Sequence, residues 1–215
     1  MNRREALSSV ALLLGGTIIG AEAFLSGCTN STKNPGATGL ALTPDDVAFL
    51  DEVGETILPA TATTPGAKEA KIGQFMKVIV NDCYEEADQK IFIQGMGQLN
   101  DASRKKFNKD FVALSASDKH DFLVALDKEA KDYMKKKSDF DKAQVEKESS
   151  EKMKGNNNFK KEEMPTHYFV MMKQLTIWGF FTSEPGATKV LRYVAVPGKY
   201  EGCVPYNKGD RAWAT

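Results

Sequence analysis

The sequence predicts a mainly α protein: a small helical bundle that ends in an irregular segment rich in aromatics, Gly and Pro. Apolar residues recur at helical spacing in five separate stretches. No alternating, strand-like run lasts more than a few positions, and the helical period stops near Gly179 while aromatic density stays high.

The first helix is expected over 44–58. Thr43 stands as a cap, Pro44 at the first helical position, and Asp45 and Asp46 in the first turn, where acids face the positive end of the helix dipole. Val47, Leu50, Val53 and Ile57 follow at helical spacing, and Leu58-Pro59 ends the element. Residues 60–67, with Pro65-Gly66, form a loop. A second helix is spelled by Ile72, Phe75, Met76, Ile79, Val80 and Cys83, which puts Cys83 on the buried face. Ile91, Phe92, Met96 and Leu99 mark a third. Ser117 is expected to cap a fourth, carrying Phe122, Leu123, Leu126, Ala130 and Tyr133.

From 131 to 163 the composition changes to ten Lys and eight acids with few apolar residues. Such a stretch buries too little surface to offset the cost of ordering, so it is either a solvated helix extension or a mobile insertion. Pro165 opens the fifth helix, with Phe169, Met172, Leu175 and Thr176 facing inward.

The 215 residues carry 29 basic and 29 acidic side chains, two His and three Cys. Zero net charge excludes the basic surface on which nucleic-acid binding depends. Two His leave little for a zinc or iron site. His120 and His167 have no second His or Cys at ligand spacing and are expected to be solvated. No Cys-x-x-Cys-His exists to hold a haem. Gly95-Met96-Gly97 lacks the third glycine and the preceding strand of a dinucleotide fingerprint, so the two glycines are expected at a helix contact. No catalytic, cofactor-binding or metal-ligating set emerges.

The first 27 residues form a lipoprotein signal peptide. Arg3-Arg4 precedes an apolar run from Val10 to Ala21, too short to cross a bilayer of about 30 Å. The paired arginines resemble a twin-arginine export signal, which carries folded cargo; an ordinary secretory n-region is the alternative. Leu25-Ser26-Gly27-Cys28 is similar to a lipobox, with Cys28 as the lipidated residue and a plain cleavage site as the alternative. Residues 28–42 are then a flexible tether and 43–215 the helical domain, with 131–163 as its charged insertion. Cys83 and Cys203 remain as an even pair in an oxidising compartment, where a disulfide is the usual outcome; two unrelated buried thiols are the other.

From Trp178 onward the chain presents Trp178, Phe180, Phe181, Tyr193, Tyr200 and Trp213 among Gly and Pro. Such rings must be covered either by the chain's own body or by a partner, since interfaces favour Trp, Tyr, Phe and Arg.

Glu55-Thr-Ile-Leu-Pro59, Thr64-Pro-Gly-Ala67, Lys173-Gln-Leu-Thr176, Gly179-Phe-Phe-Thr-Ser-Glu-Pro-Gly-Ala187, Arg192-Tyr193 and Pro197-Gly-Lys-Tyr-Glu-Gly-Cys203 together resemble the gluconate 2-dehydrogenase subunit 3 family. The resemblance implies a periplasmic, cofactor-free small subunit. Its partner would be a flavoprotein of the glucose-methanol-choline (GMC) type that holds FAD and oxidises a sugar, sugar acid or glycoside, often passing electrons to a cytochrome c on a further chain. It implies that the small subunit brings the export signal for a folded, FAD-loaded passenger, and that the six aromatics form the partner surface or the fold beneath it. The lipid anchor adds a membrane tether. Two rivals are a stand-alone periplasmic lipoprotein acting as a binding module, and an enzyme whose active site leaves no motif.

Overall fold

The computed structural model describes residues 42–196, 198–199 and 201–214. Arg3, Arg4, Cys28, the tether up to residue 41 and Tyr200 lie outside the described residues. Five α-helices follow in order: α1 Pro44–Ile57, α2 Ile72–Cys83, α3 Glu86–Phe107, α4 Ala116–Met153 and α5 Tyr168–Thr182. A 3-10 turn at Phe111–Ala113 joins α3 to α4, and a π-helical turn at Gly186–Val190 follows α5. Among the described residues there is no strand, so the fold is a mainly α bundle.

Local chemistry sets the helix ends. Asp46 N–H donates to Thr43 Oγ1 at 3.2 Å, while Thr43 N–H donates to Asp46 Oδ2 at 2.8 Å, a reciprocal capping box. The α1–α2 connection is fastened by one carboxylate: Glu55 accepts from the Ala60 and Lys68 N–H groups, each at 2.9 Å. This is what the Glu55-to-Ala67 sequence builds.

The cap of α4 is Ser115, two residues before the expected Ser117. Asp118 N–H donates to Ser115 Oγ at 3.1 Å, and the Ser115 hydroxyl donates to Asp118 Oδ2 at 2.7 Å. Ser117 falls in the first turn, where its side chain cannot reach a free amide. Helix α5 begins three residues after Pro165 and runs past Gly179 to Thr182.

Helix α5 is the hub: it packs against each of the other four helices. Leu50 and Val53 of α1, Ile72, Met76 and Val80 of α2, Phe92 and Leu99 of α3, and Phe169 and Met172 of α5 form a nearly water-free centre. Each such side chain contributes about 1.5–3 kcal/mol by leaving water. The α3–α5 crossing is close because Gly95 has no side chain; a Cβ there would overlap the Tyr168 side chain. Gly97 meets nothing within 4 Å, so only one of the two glycines serves the helix contact.

Of the two alternatives for the charged stretch, the chain takes the solvated helix through Met153. Helix α4 has 38 residues, about 57 Å at 1.5 Å per residue. Past Ala130 it buries only Gln144, whose side-chain oxygen accepts from the Glu162 N–H of the returning segment at 3.3 Å.

Candidate functional site

Helix α5 differs from the others in that, between Gln174 and Thr182, it has no outward polar residue. Phe169, Met171, Met172, Leu175, Thr176, Gly179 and Phe180 turn inward. Yet Ile177, Trp178 and Phe181, on the opposite side, are 41%, 52% and 37% exposed. A helix that is apolar all round is normally buried all round. Here the bundle covers one side only. Trp178 stands edge-on to Phe75 of α2 at 5.2 Å between ring centres, and Val78, one turn further along α2, is exposed as well. The outcome is an apolar surface held rigidly by two packed helices.

The expected aromatics therefore divide. Phe180 is core, 3% exposed, and supports the surface from beneath. Trp178, Phe181, Tyr193 and Trp213 lie on the outside. Sequence reasoning missed Ile177, Val78, Val194, Val196, Val204 and Tyr206, all exposed. The signal that could have found Ile177 is the missing polar stripe on α5.

The chain leaves α5 by a tight turn. The Ser183 hydroxyl donates to Phe180 O at 2.6 Å and accepts from Gly186 N–H at 3.1 Å. A Cβ on Gly186 would run into the Phe180 carbonyl, so this glycine permits the close approach that turns the aromatic segment back toward the body.

Cys83 and Cys203 both carry free, exposed thiols in this structure, which does not join them in the expected bridge. Cys83 is the last residue of α2, one turn beyond Val80, where no neighbouring helix covers it; its expected burial fails for the same reason.

His167, expected to be solvated, is half-buried. Its ring stacks on Tyr168 at 4.6 Å and meets Tyr133 edge-on at 5.3 Å, and its Nδ1 accepts from Phe169 N–H at 3.2 Å, capping α5. Burial lowers its pKa below the ordinary imidazole range, against the opposing pull of Glu129. The same burial pushes Tyr168 up to about 12. A protonated ring could no longer accept from Phe169, and it would place a cation at a helix N-terminus. Because the folded value is depressed, the stabilisation is fully present above about pH 6.5 and is lost as pH falls toward and through the folded value. His167→Asn, which caps without titrating, is expected to remove this component. The check is the difference in urea midpoint between pH 7.5 and 5.5, larger in the parent than in the variant. His120 is solvated, as expected, beside Asp121 at 3.3 Å.

Two clefts lie elsewhere on the described surface. One of about 530 Å³ lies between the start of α3 and outer α4, bordered by Asp88, Lys137, Asp141, Lys161 and Glu162. The other, about 210 Å³, is bordered by Ile57, His120, Asp127 and Lys173. Their main charges are matched: Lys137 with Asp141 at 2.7 Å, Lys161 with Glu148 at 3.1 Å, and Lys173 with Asp127 at 2.6 Å. The hydrogen bonds from Lys131 and Lys173 hold the Asp127 carboxyl below the usual range. Among the described residues no cluster of three His, Cys, Asp or Glu could hold a metal, and no helix is long and apolar enough to cross a membrane.

The fold and its surface define the class: a small all-α domain whose central helix is shared between core and exterior. The profile described as gluconate 2-dehydrogenase subunit 3 matches residues 44–198, and the chain belongs to that family. The match begins at the first residue of α1, runs through the charged stretch, and stops short of Cys203 and Trp213. Neither the curated proteins nor the solved structures give a significant match.

Proposed function

We propose that this chain is the non-catalytic small subunit of a periplasmic, FAD-dependent dehydrogenase of the GMC type that oxidises a sugar, sugar acid or glycoside. It supports export, folding and membrane tethering of the flavoprotein subunit. The observation that carries this reading is the outward face of α5. Ile177, Trp178 and Phe181 stay exposed on the helix that packs against all the others, and membership of a dehydrogenase-subunit family supports another subunit as what covers them. FAD belongs to that partner in this reading. Export through Arg3-Arg4 suits a passenger that has to take up its flavin before crossing, and Cys28 provides the tether.

The test is expression of the cognate flavoprotein with and without this chain. With it, the periplasm is expected to contain soluble, FAD-loaded partner; without it, several-fold less. An Arg3→Lys, Arg4→Lys variant should resemble omission. Equal amounts of loaded partner in all three strains would overturn the proposal.

A further inference from the structure

Beyond the π turn the chain leaves the body and comes back. Arg192 N–H donates to Ala212 O at 2.7 Å and Ala214 N–H donates to Arg192 O at 2.9 Å, so the two ends pair side by side. The Arg192 guanidinium lies over the Trp213 ring, 4.8 Å from its centre, with the Asp210 carboxylate 3.6 Å away. Arg211 Nη1 donates to Lys189 O at 2.9 Å, which ties the returning strand to the π turn. Asn207 N–H to Asp210 Oδ2, at 3.0 Å, fixes the last bend.

Between these fastenings the chain carries Tyr193, Val194, Val196, Val204 and Tyr206, at 56%, 50%, 81%, 45% and 76% exposure. None of them joins the core cluster. Closing a loop costs entropy, and a closed neck whose apolar side chains stay exposed gives the domain itself little in return. A loop preformed in this way spares a complex that ordering cost at the moment of binding.

We infer that residues 193–196 and 201–206 form a preformed docking hook for an apolar groove on the flavoprotein subunit, with Arg192 as the positioning residue that keeps its neck closed. This rests on the proposed function above. Scaled by their exposures, the hook's aromatic and valine side chains with Trp213 present roughly 700 Å². That is near the ~800 Å² per partner of a standard stable interface. Lys199 and Glu201 pair with each other at 2.5 Å, so the groove that receives the hook needs no charge of its own.

The experiment titrates the full chain against its flavoprotein and compares the parent with Val196→Asp/Tyr206→Asp, Arg192→Ala and Arg192→Lys. The first two are expected to weaken binding at least tenfold while the free chain keeps its helical circular dichroism and melting midpoint. Arg192→Lys retains a cation for Asp210 but not the flat stack on Trp213, and should fall between. If the parent binds no flavoprotein, the proposed function and the hook fall together. If the parent binds and the hook variants bind within threefold of it, the hook alone falls. A parent dimer at micromolar concentration that Val196→Asp/Tyr206→Asp converts to monomer would also overturn it, by making the occupant a second copy.

Discussion

Phe169→Ala is expected to cost about 3–5 kcal/mol, the range for emptying a large aromatic site in a core. Phe169 is 2% exposed at the start of the one helix that touches all the others. Phe169 sits where α1, α4 and α5 meet, beside Ile57 and Leu123. Against a typical total of about 5–15 kcal/mol, such a loss removes a large share of the stability. It corresponds to a drop of roughly 6–20 °C in melting midpoint for a domain of this size. Urea titration and thermal melting of the two proteins check it, and a loss below about 1 kcal/mol would contradict the packing described.

Trp178→Asp, on the same helix, is expected to behave in the opposite way. Half of Trp178 already faces water, and its edge contact with Phe75 is worth about 0.5–1.5 kcal/mol at most. Stability should therefore fall by about 1 kcal/mol. Binding to the flavoprotein should weaken about 30-fold or more, because buried Trp anchors at interfaces commonly carry at least 2 kcal/mol. Melting and binding measured on one preparation separate the two effects. A variant that binds normally would remove α5 from the interface.

Much of this contrast was legible in the sequence. The capping box at Thr43 and the inward positions Phe169, Met172, Leu175 and Thr176 depend on neighbours within a turn or two, so spacing alone finds them. Ser115 and Ser117 are both plausible caps, and the choice falls to the one whose hydroxyl can meet the Asp118 amide. Cys83 has the right phase for burial but lies where its helix ends. His167 looks solvated because the Tyr133 ring that shelters it comes from a different helix. Phe180 and Phe181 are adjacent and chemically alike; only the packing of α5 decides which is core and which is surface. Arg192 and Trp213 are far apart in the chain, and no local rule pairs a cation with a ring at that separation.

Helix α4 carries a consequence of its own. Beyond Tyr133 its outer half is held mainly by pairs within a turn, Lys137 with Asp141 and Lys152 with Glu148, both at 2.7 Å, and by the returning segment at Gln144 and Glu148. Exposed pairs of this kind are worth only about 0.3–0.5 kcal/mol each. The amides beyond Ala130 should therefore exchange with solvent through local opening, while those of α5 wait for the whole domain to unfold. The outer half of the longest described helix is thus the part least coupled to the core. Its outer turns could be lengthened, shortened or melted with almost no effect on the core from which they project.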